Sequence, residues 1–304
     1  MLKLLRSAVL ALTLLLAPVM PASAQALSAP AIQPVRDVDP ALWVVKDADT
    51  TIYLFGTVHL LKPGLGWFDD AVRTAFDSSD ELVMELIAPD DAEMQAVMMR
   101  IAFRPDGPTL TSRLPENRRA DFARALASIG MPPQALDKAK PWFAAMMLGV
   151  MPMVKQGYDP AMGVETILTA AARAGGKKLV GLETAEEQFS MFDAAPEDAQ
   201  ITYLLSVIDQ MGSVGPTLDG MLESWSTGDA DAVGELLNTA LAGSPALAKR
   251  MLFDRNARWA DWIAERMKAP GTVFLAVGSG HLGGPGNVRA LLAAKGMTVQ
   301  RIAY

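Results

Sequence analysis

The spacing of apolar residues divides this chain into strand-rich ends and a helical middle. Ala41 to Lys46 and Thr51 to Val58 are rich in Val, Ile, Trp, Tyr and Phe, with Asp47-Ala48-Asp49-Thr50 between them. That is a hairpin signal, and it places His59 at the end of the second strand. Pro63, Gly64 and Gly66 make a loop. Phe68 to Phe76 fits a short helix with Asp69 and Asp70 near its start, where negative charge is favoured. Asp80 to Ile87 predicts a third strand that carries an acid, Glu85, inside an apolar run. From about Asp90 to Gly157 the pattern turns helical. Asp90 to Ile101, Pro115 to Ile129, Pro133 to Lys138 and Pro141 to Lys155 are predicted helices, and Pro105 to Leu114 a loop. Pro160 to Ala174 predicts a helix that stops at Gly175-Gly176. Lys178 to Leu182 predicts a strand closed by Glu183, and Thr184 with Glu187 reads as a capping box for the next helix. Residues 196–268 read as almost wholly helical, with breaks at Thr227-Gly228-Asp229 and Ala242-Gly243-Ser244. Gly271 to Val277 returns to strand. Gly283-Gly284-Pro285-Gly286 then turns the chain into a helix from Asn287 to Lys295, and Met297 to Ile302 closes as a strand.

Strands alternating with helices predict an α/β (or α+β) fold, a central mixed sheet built from the N- and C-terminal strands around a large helical middle section. The organisation follows. Residues 1–26 read as a signal peptide: Lys3 and Arg6 supply a positive start, Ala8 to Val19 an apolar core, and cleavage falls near Ala24 or Ala26. The apolar core is shorter than the roughly 20 residues that span a bilayer, so removal is favoured over anchoring. Residues 27–40 are an extended, proline-rich leader. Residues 41–304 form a single domain with a helical insert at about 90–157 and the helical segment 196–268. The expected location is periplasmic or secreted, with no stable membrane span in the mature form.

Composition narrows the classes. The chain has 304 residues, is 51% hydrophobic and 20% charged, and carries a formal charge of −7. No basic face appears, which argues against a nucleic-acid partner. Cysteine is absent, which removes disulfides, a thiol nucleophile and thiolate zinc sites. The 18 methionines read as soft core packing.

The chemistry gathers at two stretches that read like copies: Gly56-Thr57-Val58-His59-Leu60 and Gly278-Ser279-Gly280-His281-Leu282. They hold the only two histidines in the chain, and each follows a strand-like run. Strand ends of sheet domains converge on ligand crevices, so both imidazoles are expected in one site, as metal ligands or as acid–base groups. Glu85 needs a cation, a metal or the surface, because an unpaired buried charge is costly. Glu183 at another strand end, Glu165 on the helix after Met162-Gly163, and Arg255 in Asp254-Arg255-Asn256 complete the candidates. Gly278-Ser279-Gly280-His281 is not a nucleophile elbow, and no Walker loop or His-Glu-x-x-His helix is present.

Taken in order, Gly56-Thr57-Val58-His59, Val83-Met84-Glu85-Leu86, Gly181-Leu182-Glu183-Thr184-Ala185-Glu186-Glu187-Gln188, Asp254-Arg255-Asn256 and Gly278-Ser279-Gly280-His281-Leu282 resemble the TraB/GumN family over roughly Leu42 to Ala303. That family looks related to the Tiki metalloproteases, which act on Wnt proteins, and more distantly to the erythromycin esterases. The resemblance implies an active centre of His59, Glu85 and His281, with Arg255 as a supporting charge. The Tiki branch implies a divalent metal such as Mn²⁺ or Co²⁺; the esterase branch implies a histidine base without obligatory metal. The function expected is an exported, metal-dependent peptidase on a peptide or small-molecule substrate. In it His59, Glu85 and His281 hold Mn²⁺, Co²⁺ or Zn²⁺, Glu183 or Glu165 is the general base, and Arg255 steadies the oxyanion. Two alternatives stay open: a metal-independent esterase-like hydrolase with histidine as base, and a non-catalytic ligand- or peptide-binding protein.

Overall fold

The computed structural model describes residues 35–241 and 245–304. The signal-peptide assignment, most of the leader and the break at Ala242-Gly243-Ser244 lie outside those residues. Eight strands follow one another: β1 Arg36–Asp37, β2 Leu42–Lys46, β3 Thr50–Thr57, β4 Leu65–Gly66, β5 Glu81–Leu86, β6 Lys178–Glu183, β7 Gly271–Gly278 and β8 Gln300–Arg301. Six of them form one mixed sheet in the order β6-β5-β7-β3-β2-β8. β2 and β3 are the expected antiparallel hairpin, and β8 adds antiparallel to β2. β3, β7, β5 and β6 run parallel, so their carboxyl ends share one edge. The fold is α/β.

Alternation along β7 shows why both faces of the sheet are covered. Val273, Leu275 and Val277 point to one face, where they pack with Trp259, Ile263, Val288 and Leu292 of the helices Asp254–Arg266 and Val288–Ala294. Phe274 and Ala276 point to the other face, into a larger core with Phe76, Trp142 and Leu168. A parallel strand buried on both faces has no polar side to spare, so β7 reads as a continuous apolar run.

Several expected elements differ. Pro133 to Lys138 is a run of turns, closed by Ala135 N–H to Pro132 O at 3.0 Å and Asp137 N–H to Gln134 O at 3.1 Å; prolines at 132 and 133 supply no donors to propagate a helix. The Pro105 to Leu114 loop contains one helical turn, Leu110–Arg113, because the Thr109 side chain caps it. Met297 to Ile302 pairs only through Gln300–Arg301. The end of the leader pairs in parallel with the loop around Gly64, as β1 with β4. The helix predicted from Pro160 begins as a single tight turn, Pro160–Met162, and restarts as Val164–Ala174. The capping box at Thr184 and Glu187 is present with both reciprocal hydrogen bonds.

Candidate active site

The two Gly-x-x-His motifs end neighbouring parallel strands, with Thr57 opposite Gly278 in the ladder. They are stitched directly: the Ser279 hydroxyl donates to the Thr57 carbonyl at 2.9 Å. Gly56 is required there, since a Cβ on it would sit 2.9 Å from Ser279 Oγ. Trp225 Nε1 closes the other side by donating to the Gly56 carbonyl at 2.8 Å. The strand register thus brings together motifs separated by more than 200 residues.

The two imidazoles nevertheless have different partners. His59 belongs to a segment sewn to the start of the Val164–Ala174 helix. Asp159 N–H donates to Leu61 O at 2.9 Å, and Val164 N–H to Val58 O at 3.1 Å. Gly163 passes so close that a Cβ on it would lie 2.3 Å from the His59 carbonyl oxygen. This seam sets Glu165 beside His59, with Nδ1 2.5 Å from Glu165 Oε1. The same oxygen accepts from Thr57 Oγ1 at 2.7 Å. Neither ring nitrogen of His59 makes an aligned hydrogen bond among the described residues.

His281 is fully buried and faces Arg255. Arg255 Nη1 donates to His281 Nε2 at 3.1 Å, and His281 Nδ1 meets Asn256 Oδ1. A guanidinium only donates, so the His281 proton lies on Nδ1 and the Nε2 lone pair is engaged. The ring also packs on Trp259, with centroids 4.3 Å apart. Arg255 ties the rest together. It grips Glu183 with Nε at 2.8 Å and Nη2 at 2.6 Å, and donates Nη2 to Glu85 at 2.7 Å. A wide helical turn at Lys249–Phe253 directs the Met251 carbonyl onto Nη1 at 3.2 Å. Burial pulls the guanidinium down, but Glu85 and Glu183 outweigh it and hold the group above its ordinary value. Arg258 adds a further bond to Glu183 at 3.0 Å.

Glu85 lies beside His281 and lines the same cleft as His59. Its Oε1 accepts from the Gly278 backbone N–H at 2.6 Å and lies 3.5 Å from His281 Nε2. Gln188 Nε2 reaches its Oε2 at 3.3 Å. The other side of Glu85 opens on a cleft of about 510 Å³ whose lining includes His59, Glu165 and Gln188. Met84, Leu86, Met94 and Ala170 supply apolar wall; Asp90, Asp91 and Arg173 supply charge. His281, Arg255 and Glu183 do not line it. Of the six residues expected from the sequence, three therefore face the cleft and three form a buried layer behind Glu85.

That division bears on the expected metal. Among the described residues, no group of three or more His, Asp or Glu side chains is arranged to hold an ion. The reason is visible at His281: its free lone pair is spent on a permanent cation, and a second cation beside Arg255 would be repelled. His59, Glu85 and His281 do not fit a shared ion in this arrangement. Glu183, likewise, is held by two arginines rather than open to a substrate. Thr57, Gln188, Asn256 and Arg173 were not anticipated. Asn256 and Gln188 sit inside motifs already noted, but nothing in residue type alone says that an amide meets His281 or Glu85.

A sequence profile of the TraB/PrgY/gumN family matches residues 41–301. An uncharacterised protein of Treponema pallidum (strain Nichols) is 24% identical over 81% of this chain and 78% of its own length. The uncharacterised protein YbaP of Escherichia coli (strain K12) is 23% identical over 83% of this chain and 92% of its own. A metalloprotease TIKI homolog of Amphimedon queenslandica is 24% identical over 86% of this chain, which spans 61% of that protein. No solved structure matches.

Proposed function

Because the chain belongs to the TraB/PrgY/gumN family, we propose that it is a hydrolase in which His59 is the general base and Glu165 its partner. The observation that carries this is the His59–Glu165 contact at 2.5 Å in the wall of the large cleft. A carboxylate against Nδ1 favours the ring proton there and leaves Nε2 to take a proton from an attacking water. Glu165 then offsets the charge of the imidazolium that forms, the role of the acid in a Ser-His-Asp triad. Glu85, Arg255, Glu183 and His281 act as a rigid floor that fixes the ends of β5 and β7. Arg255 in this reading positions Glu85 and does not touch substrate. The cleft lining carries four acids, Glu85, Asp90, Asp91 and Glu165, against one arginine, Arg173. Its substrate is accordingly a neutral or cationic ester or amide with an apolar flank, such as a peptide.

The second reading is a metal-dependent peptidase. It is favoured by the name of the sponge relative, a metalloprotease, and would require the cleft residues His59, Glu85 and Glu165 to rearrange, since among the described residues none are grouped to hold an ion. The test of the hydrolase reading is a panel of chromogenic esters and fluorogenic peptides offered to wild type and to His59→Ala. Turnover by wild type that disappears in the variant, with circular dichroism unchanged, is expected. Ligand binding without turnover by either protein would make the chain a binding protein instead.

Export is part of the same proposal. No helix among the described residues is long and apolar enough to cross a membrane. Expressed with its N-terminus intact in a Gram-negative host, the protein should appear in the periplasm with a mass that starts after Ala24 or Ala26. A full-length mass in the cytoplasm would remove the signal-peptide assignment.

A further inference from the structure

The helix Val164–Ala174 builds one wall of the cleft from a continuous stripe. Glu165, Thr166, Thr169, Ala170 and Arg173 all line the opening. Their steps of one, three, one and three residues keep them on one face of the helix. Val164, Leu168 and Ala172 turn the other way, into the core. The cleft therefore runs along the helix, with the His59–Glu165 contact at its first turn and Arg173 in its last. Eight residues of helix separate Glu165 from Arg173, roughly 12 Å.

The stretch between those ends is apolar. Thr169 Oγ1 is spent on Glu165 O at 2.6 Å, and Thr166 Oγ1 on Pro160 O at 3.0 Å. Met84, Leu86 and Met94 add hydrocarbon wall. Three of the acids are also engaged: Glu165 with His59, Glu85 with Arg255, and Asp90 as acceptor of the Glu93 N–H at 2.8 Å. Arg173 is exposed, so a molecule in the cleft reaches it, and it is the only arginine or lysine in the described lining. A guanidinium offers a planar fork of N–H donors that matches the two oxygens of a carboxylate.

We propose that Arg173 is a specificity-determining residue that binds a carboxylate of a peptide substrate, about three residues from the bond presented to His59. The position of that bond rests on the hydrolase reading of the cleft; the anchor itself is a binding contact. A long side chain in a helix leans back toward the N-terminus, which shortens the span from Arg173 to the dyad. An extended chain advances about 3.3 Å per residue, so three residues fill the trough, with apolar side chains against Met84, Leu86 and Met94. The carboxylate is either the C-terminus of the peptide or an acidic side chain, and both present the same pair of oxygens. A peptide with a free amine and one carboxylate is neutral overall, as the surplus of acids in the cleft requires.

The experiment is calorimetric titration of His59→Ala, which does not consume the peptides, with unblocked hexapeptides of alternating leucine and serine. They are offered as free acids, as C-terminal amides, and as amides with glutamate as the last residue. An acid-rich cleft by itself favours the cationic amide over the neutral free acid. Arg173 predicts the opposite: the free acid should bind about fivefold more tightly than the amide at low salt, the upper range for an ion pair open to solvent. The preference should fade as salt is added. Glutamate amides that regain it identify a side chain as a second source; glutamate amides that do not identify the terminus, and either result upholds the anchor. In Arg173→Gln the preference should reverse, and Arg173→Lys should keep part of it. Both changes fall at an exposed position and leave the circular dichroism spectrum unchanged. Wild type should release a fragment of about three residues from the carboxyl end of the free acid, read by mass spectrometry. Acid preference without cleavage would end the hydrolase reading and leave the anchor standing. Amides bound as tightly as acids, a preference unmoved by Arg173→Gln, or no saturable binding would overturn the anchor, whether or not wild type cleaves. Arg173 would then only suit the negative end of its own helix.

Discussion

At the scale of single residues, the site divides into a group that can react and groups that hold it. Removing the Glu165 carboxylate in Glu165→Gln should lower kcat by about 10²- to 10⁴-fold, the usual contribution of assisted proton transfer, with KM little changed; steady-state kinetics on any turned-over substrate checks this. Arg255→Met should act differently. It strands Glu85 and Glu183 in a buried layer, and breaking a buried ion pair from one side costs about 3–5 kcal/mol. Urea denaturation should show that loss, whereas a residue that only touches the transition state would leave stability intact. Residue identity made part of this legible. Two histidines in matched settings, and an acid within an apolar strand, announce chemistry because their burial requires partners. Which partner each takes was not legible, since Glu165, Gln188 and Asn256, though they stand in or beside segments already singled out, reach their partners through tertiary packing. Glu183 reads from the sequence as a general base and Arg255 as a supporting charge; in the structure each has the other as its main partner, at 2.6 Å.

At the scale of elements, the seam between the His59 segment and the Val164–Ala174 helix is the weak point. Gly163→Ala places a methyl against the His59 carbonyl, 2.3 Å away before relaxation, and backbone oxygen has little room to yield. Overpacking of this kind costs about 1–3 kcal/mol. It should also lower kcat by about 10²-fold, the expected effect of moving a catalytic group by about 1 Å. The two readouts together separate a shifted dyad from simple loss of stability. A second joint lies at the far end of the sheet. Burial pushes the Glu81 carboxyl up, but Arg266 at 2.7 Å and Lys178 at 3.1 Å outweigh it and hold the group below the usual carboxylate range. A depressed folded value contributes stability that is fully present above the unfolded value of about 4.3 and fades as pH falls through the folded one. Glu81→Gln should therefore destabilise the chain by about 1–3 kcal/mol at pH 7, with the difference shrinking toward pH 3. A difference independent of pH would point to lost packing instead. The long elements were legible from period and caps. The short ones were not: Pro133 to Lys138 has helical composition but no donors from its prolines, and Gln300–Arg301 pairs only because β2 offers an edge.

At the scale of the whole molecule, the parallel arrangement of β3, β7, β5 and β6 makes the site. It delivers the ends of four strands to one edge, and the helix Val164–Ala174 supplies the fifth contribution. That strand-rich ends of the chain meet across a helical middle follows from alternation and could be read in advance. That β7 inserts between β3 and β5 is a register choice, fixed by Ser279 against Gly56 and by Glu85 against the Gly278 amide. The same insertion brings Arg255 between the acids and His281, and so decides which groups are open to an ion. The most direct measurement is turnover of a wild-type substrate after exhaustive dialysis against a chelator, with residual metal quantified and Mn²⁺, Co²⁺ and Zn²⁺ then added back. A His59–Glu165 base in this cleft predicts that activity survives metal removal and is not restored or raised by any of the three ions. Activity that vanishes on chelation and returns with one of them would contradict it and place the chemistry on a bound metal.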